Sequence, residues 1–67
     1  MSVQYETGFD FFMDLQKEYG TMEAVKIANS YLDIQSRVYG SKFREKEPEE
    51  FNFCCELFKA TRQAANN

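Results

Sequence analysis

The sequence contains no histidine, and its only two cysteines, Cys54 and Cys55, are neighbours. Neighbouring cysteines do not form an ordinary disulfide without straining the backbone. Without histidine, neither a zinc site of the usual ligand spacing nor a nucleophile activated by an imidazole base is expected. Cys54 falls on an apolar helix face, which is typical of a small core residue. We therefore expect no metal, no cofactor and no catalytic residue, and the sequence favours a protein that is not an enzyme.

Long apolar runs are also missing. No stretch approaches the roughly 18 apolar residues that a membrane span needs, and the first nine residues lack the basic start and apolar run of a signal peptide. The net charge of −3 over 67 residues disfavours general nucleic-acid binding, which usually shows a basic excess. We therefore expect a cytoplasmic protein without membrane association, and we do not expect nucleic acid as its partner.

Glycine and proline are so few that each one indicates a boundary. The segments Tyr19-Gly20-Thr21 and Tyr39-Gly40-Ser41 each predict a helix end at glycine and a capping Thr or Ser for the next helix. Pro48 before two glutamates predicts a helix start, and Thr7 with Asp10 resembles a capping box. These signals predict one all-α domain over 1–67, a small three-helix bundle with helices at about 8–19, 22–39 and 48–64. The segment 41–47 is predicted to be a polar connector with room for one turn of helix, anchored by Phe43. The first six residues are expected to be loose or to pair with another segment, and residues 65–67 are expected to fray.

The predicted helices carry apolar arcs that are wider than a small bundle can bury. An ordinary surface helix needs an apolar stripe of about 100°, and these arcs approach twice that width. Because each of three helices meets only two others, we expect aromatic surface to remain for another chain, in a homo-oligomer or on a host protein. The alternative is a tightly packed monomer whose seven Phe and four Tyr fill the middle. The candidate interface residues are Phe9, Phe12, Tyr31, Gln35, Val38, Phe51 and Phe58.

Two glutamines interrupt these apolar arcs. Gln35 and Gln16 each fall among apolar positions, and a buried amide without a partner costs about 1–3 kcal/mol. Gln35 either pairs with its own copy across a two-fold axis or packs its stem at a rim with its head in water, and we favour the second interpretation.

A local basic and aromatic cluster offers a second hypothesis. Cations that alternate with aromatic rings can hold a phosphate and stack a base, although the glutamates that follow lower the local potential. The sequence therefore leaves open a binder of a phosphorylated small ligand, such as a nucleotide signal. The candidate ligand-binding residues are Arg37, Tyr39, Lys42, Phe43 and Arg44.

Two further patterns are weaker. Asp10, Asp14 and Glu18 form an i, i+4, i+8 row, which we interpret as a solvated helix face rather than a metal or acid–base site. The turn at Gly20 between two helices resembles a helix-turn-helix DNA-binding unit, but acids on the second helix argue against it. The first hypothesis is thus a non-catalytic interaction module, a regulator or inhibitor of the kind that phages and bacteria encode.

Overall fold

All regular structure in the described residues is helical. The computed structural model describes residues 7–66, so the expectations about the first six residues and Asn67 lie outside it. The long helices are α1 (Gly8–Tyr19), α2 (Thr21–Tyr39) and α4 (Pro48–Ala65), and the short helix α3 (Phe43–Lys46) follows a 3-10 turn at Gly40–Lys42. The predicted all-α class is confirmed, and the three long helices lie within two residues of their predicted bounds.

Local signals in the sequence define the helix ends. The Thr7 hydroxyl accepts a hydrogen bond from the Asp10 backbone N–H at 3.1 Å, as the predicted cap requires. Pro48 begins α4, where its missing N–H costs nothing. Gly20 and Gly40 end α1 and α2 with φ of 86° and 65°, a region that residues with a Cβ avoid. Glycine is therefore required by the backbone at both helix ends.

The predicted capping role of Thr21 is wrong. The residue that precedes the first turn of α2 is Gly20, and no side chain caps this helix. Thr21 already lies inside α2, and its hydroxyl accepts a hydrogen bond from the Gln16 side-chain amide at 3.4 Å. The reason is geometric, because a single glycine is enough to reverse the chain and α2 begins one residue earlier than predicted.

The predicted polar connector 41–47 is largely helical. Its residues form most of the 3-10 turn and all of α3, and the Glu47 N–H closes the segment on the Phe43 carbonyl at 2.9 Å. Phe43 anchors it, as predicted, because its ring lies 4.6 Å from the Tyr39 ring and 5.3 Å from the Phe51 ring. This anchor holds the start of α4 against the end of α2.

The core lies where the three long helices meet. The alanines Ala24, Ala28 and Ala60 allow the helix backbones to approach closely. Gly8 also lies close to α4, because a Cβ at this residue would lie 2.3 Å from the Leu57 nitrogen. The Gly8 N–H also faces the Glu56 carboxylate at 3.4 Å. The buried core residues are Phe12, Leu15, Ala24, Ala28, Leu57 and Ala60.

The bundle is flat, with principal extents of 32 × 30 × 15 Å. The thin direction corresponds to two helical layers, since packed helix axes lie about 8–10 Å apart. Gly8 lies against Leu57, and Gln16 and Gln63, further along each helix, line one groove, which indicates that α1 and α4 run in the same direction. A flat body leaves broad faces on which grooves between helices stay open.

Candidate functional site

Every long helix presents large apolar side chains to solvent. Their exposed fractions run from 37% at Phe9 to 79% at Met22. The predicted excess of apolar helix surface is therefore present in the described residues. Part of it lies in two grooves, and Ile34 and Val38 form an exposed patch on α2. The exposed large hydrophobic residues are Phe9, Met13, Tyr19, Met22, Ile34, Val38 and Phe58.

One recess is an open groove between α2 and α4, with Phe43 of α3 at one end. Its volume is about 360 Å³ and its lining is mostly apolar and aromatic. We call it the α2/α4 groove. Its lining residues are Asn29, Leu32, Asp33, Ser36, Phe43, Phe51, Cys54, Cys55 and Phe58.

Packing determines the shape of this groove. Phe43 is buried and meets Phe51 edge-on, so the two rings form a fixed end wall. Cys54 is buried in the floor, where desolvation, the Glu50 charge and Cys55 raise the pKa of its thiol to about 11. The thiol therefore stays protonated near neutral pH and acts as an apolar group. Cys55, by contrast, is a free and exposed cysteine.

The edges of the α2/α4 groove carry both acidic and basic side chains. On α2, the Asp33 carboxylate lies 3.2 Å from the Arg37 Nε, and both side chains are well exposed. On α4, the Arg62 guanidinium lies over the Phe58 ring at 5.6 Å from its centroid. Phe58 is 49% exposed, so a half-open aromatic ring lies between the groove and a cation.

A second, smaller groove lies between α1 and α4. Its volume is about 230 Å³, and none of its lining residues is charged. Gln16 lies at this groove and is half-buried, with its amide bonded to Thr21. We call it the α1/α4 groove. Its lining residues are Phe9, Phe12, Met13, Gln16, Ala60, Gln63 and Ala64.

The structure separates the seven predicted interface residues into three groups. Phe9, Val38 and Phe58 are exposed, and Gln35 is half-buried, as are Tyr31 and Phe51. Phe12 is 3% exposed and belongs to the core, although it also contributes to the lining of the α1/α4 groove. Its burial reflects packing with Leu15 and Leu57 where the three long helices meet.

Tyr31 is held inside the bundle by polar and aromatic contacts. Its hydroxyl donates a hydrogen bond to the Glu50 carboxylate, and its ring packs against Phe11 and Phe53. Burial, this hydrogen bond and the Glu50 charge raise the pKa of Tyr31 above its ordinary value of 10.0. The side chain thus links α2 to α4 and is not available as a free surface ring.

The candidate ligand residues lie close together in sequence, but several already have partners. Tyr39 stacks on Phe43 with an interplanar angle of 20°, and Phe43 is 7% exposed. The Phe43 ring is therefore buried in the anchor that joins α2, α3 and α4, and its contacts with Tyr39 and Phe51 occupy it within the chain. Arg37 pairs with Asp33, whereas Lys42 and Arg44 are exposed.

The remaining polar patterns lie on exposed faces. Asp10, Asp14 and Glu18 are all exposed on α1. Among residues 7–66, no group of three or more His, Cys, Asp or Glu side chains is arranged to hold a metal ion. Within the same part of the chain, no helix is both long enough and apolar enough to cross a membrane.

Sequence reasoning missed several residues of the α2/α4 groove. Its α2 wall is formed by Asn29, Leu32, Asp33 and Ser36, none of which was among the predicted interface or ligand residues. Helical spacing was the available signal, because these four residues are three or four positions apart and so share one stripe of α2. Arg62 could have been found in the same way, because it follows Phe58 by four residues on α4 and so lies on the same face.

Comparison of the chain with protein-family models, curated proteins and solved structures found no match.

Proposed function

We propose that this chain is a non-catalytic protein-interaction module, a small regulator or inhibitor that binds another protein chain through the α2/α4 groove. The observation that carries the proposal is Phe58, a ring that is 49% exposed at the rim of a mostly apolar groove of about 360 Å³. Solvated aromatic surface of this kind usually marks an association site. Covering the ring with another chain would remove its apolar area from water.

Exposed apolar surface on α2 outside the α2/α4 groove also favours a protein partner. Met22 and Val38 are 79% and 67% exposed, and they lie at opposite ends of α2. Burying an apolar side chain contributes about 25 cal/mol per Å² of area removed from water. A partner that covers several of these side chains gains more than one that touches a single residue, which favours a protein over a small molecule.

The two groups with strongly shifted pKa values support a binding role without catalysis. The raised pKa values of Tyr31 and Cys54 keep both groups protonated at neutral pH. General bases and thiolate nucleophiles need the opposite shift, toward the ionised form. Both side chains contribute to packing between α2 and α4.

The nucleotide-binding alternative has less support. A base-stacking site needs an accessible aromatic face, and Tyr39 and Phe43 present theirs to each other at 4.6 Å. Of the three predicted cations, Arg37 already has an acidic partner in Asp33. Helix-turn-helix binding to DNA is weakened in a similar way, because Lys26 lies 3.6 Å from Glu23 on the exposed face of α2.

Site-specific photocrosslinking tests the proposal in the cells that produce the protein. A photoreactive phenylalanine analogue replaces Phe58, which is exposed enough to accept it, and in a control chain the same analogue replaces Ser30 on the polar face of α2. We expect one discrete crosslinked species from position 58 and none from position 30. The adduct has the mass of a second copy or of one stoichiometric protein.

A chain that forms no discrete adduct at position 58, or that reacts equally at both positions, would contradict the proposal. Circular dichroism of both labelled chains verifies that the helices are intact. Because residue 30 is also exposed on α2, it controls for collision and for expression level.

A further inference from the structure

We infer that the chain that covers the α2/α4 groove is a second copy of this protein, related by a two-fold axis that places Asp33 of each copy against Arg62 of the other. The inference rests on the proposed function and names its partner. It is carried by charge complementarity within one face of the molecule, where an acid on one wall and a cation on the other flank an apolar floor.

Self-association through one face requires that face to be complementary to itself. In a two-fold dimer, each surface meets the same surface of its partner, so a contact from one residue to another always occurs twice. A face with charges of one sign repels its copy. The α2/α4 groove has the opposite property, because Asp33 lies on the α2 wall and Arg62 lies beside Phe58 on the α4 wall.

The geometry follows from these two positions. A two-fold axis that lies in the plane of the face, perpendicular to the line from Asp33 to Arg62 and through its midpoint, exchanges the two sites. Each Asp33 then faces an Arg62 of the other copy, and both pairs form together. The apolar side chains beside the two charges, Leu32 and Phe58, are brought across from each other by the same rotation.

The present partners of the two charges do not prevent this pairing. The bond between Asp33 and Arg37 is exposed, with 61% and 80% of the side chains accessible. A carboxylate has lone pairs for more than one donor, so an arginine from a second copy can join Arg37 at Asp33. The Arg62 guanidinium carbon lies 5.6 Å from the Phe58 ring centroid and the residue is exposed, which leaves its N–H groups accessible to a carboxylate.

The α1/α4 groove does not have this property. Its lining includes no charged residue, so it offers no paired contact that would set an orientation. Ile34 and Val38 form a separate exposed patch on α2, since neither residue lines the α2/α4 groove. Of the two grooves, the α2/α4 groove is therefore the one that fits a second copy.

A charge-exchange experiment tests the inference. Two single variants are made, Asp33→Arg and Arg62→Asp, and the molar mass of each is measured by light scattering after gel filtration from about 5 to about 200 µM. In either variant, two like charges face each other at both contacts, so we expect dimerisation at least about tenfold weaker than in the wild type. Mixing the two variants restores both opposite-charge contacts and should restore a dimer that contains one chain of each.

The controls separate this inference from general effects of charge. Lys26→Glu reverses a charge on α2, the helix of Asp33, at a residue that does not line the α2/α4 groove, and it should leave the dimer unchanged. Alkylation of Cys55, which lines the groove, should slow as the wild-type concentration rises and should not slow in either single variant. Helical circular dichroism identifies any variant that fails to fold, and in that case the milder pair Asp33→Lys and Arg62→Glu is used.

Two results would overturn the inference. The first is a wild-type chain that remains monomeric at every concentration, and the second is a mixture of the two variants that does not form the heterodimer although the wild type dimerises. If the wild type is monomeric while position 58 still crosslinks to a different protein, the proposed function stands and the second copy is excluded as the partner. The failure of each proposal is therefore recognised separately.

Discussion

Gly8 lies directly against the backbone of Leu57, so that a Cβ at residue 8 would be 2.3 Å from the Leu57 nitrogen. Real Cβ contacts are longer than this. The Leu57 nitrogen and the Phe53 carbonyl oxygen, both 2.3 Å from that Cβ position, are backbone atoms of α4 and cannot move aside as a flexible side chain can. The close approach places the first turn of α1 on α4. It also holds α1 on the bundle while the α2/α4 groove stays open.

We predict that Gly8→Ala destabilises the protein, although alanine is the better helix former. Glycine in a helix usually costs about 0.5–1 kcal/mol relative to alanine, so a free position would gain stability. Here the added methyl forces α1 away from α4, and we expect a loss of about 1–3 kcal/mol in the free energy of unfolding. Urea denaturation measures it, with Ser30→Ala on the exposed face of α2 as the control. A gain in stability for Gly8→Ala would mean that the helices are not in contact there.

Much of this fold could be predicted from the sequence because its boundaries are local. Pro48 begins a helix, Thr7 caps one, and Gly20 and Gly40 end two, whatever the rest of the chain does. The apolar arcs also predicted that surface would remain exposed. These features depend on residues within one or two turns of each other.

The rest depends on how the helices cross, which no local pattern determines. Phe12 was predicted to be at an interface and is in the core, whereas Met13 beside it is 57% exposed. The helical character of 41–47 results from Phe43 packing on Tyr39 and Phe51, a tertiary contact. The α2/α4 groove likewise exists only once α2, α3 and α4 are placed together.

We predict that the bond from Tyr31 to Glu50 stabilises the contact of α2 with α4. Tyr31→Phe removes the hydroxyl and leaves a half-buried carboxylate without this donor, so we expect a loss of about 1–2 kcal/mol. A double-mutant cycle with Glu50→Gln measures the coupling, since either change alone removes the bond between the hydroxyl and the charged carboxylate. Additive losses would show that the two side chains do not interact.

We predict that stability falls as the pH rises above about 9. The pKa of Cys54 is raised from 9.0 in the unfolded reference to about 11, and the pKa of Tyr31 is raised above 10.0. A raised pKa means that the folded state retains protons that the unfolded state loses, so the stabilisation is complete below pH 9 and is lost as the pH increases. Denaturant titrations at neutral and alkaline pH should show the fall, and it should be smaller in Cys54→Ala.

The matched control for that experiment is Cys55→Ser, which changes the exposed neighbour and should preserve the dependence on pH. A free energy of unfolding that is constant from neutral pH to about pH 11 would contradict the assigned burial of Cys54 and Tyr31.

We predict that truncating the buried Leu57 lowers the free energy of unfolding much more than truncating the exposed Val38. Leu57 is fully buried, so Leu57→Ala should lower the free energy of unfolding by about 2–5 kcal/mol through lost burial and a cavity. Val38 is 67% exposed, so Val38→Ala should change it by no more than about 0.5 kcal/mol. Thermal and denaturant unfolding measure both. Equal losses would mean that the surface patch on α2 is covered within a single chain.

Sedimentation equilibrium of the wild-type chain tests the central claim, that a second copy covers the α2/α4 groove, most directly. One chain has a mass of 7.9 kDa. As the concentration increases, the apparent mass should approach twice that value, and Phe58→Glu should hold it at the mass of one chain while Ile34→Glu should not. A mass of 7.9 kDa at every concentration would contradict the account, as would a Phe58→Glu variant that dimerises as strongly as the wild type.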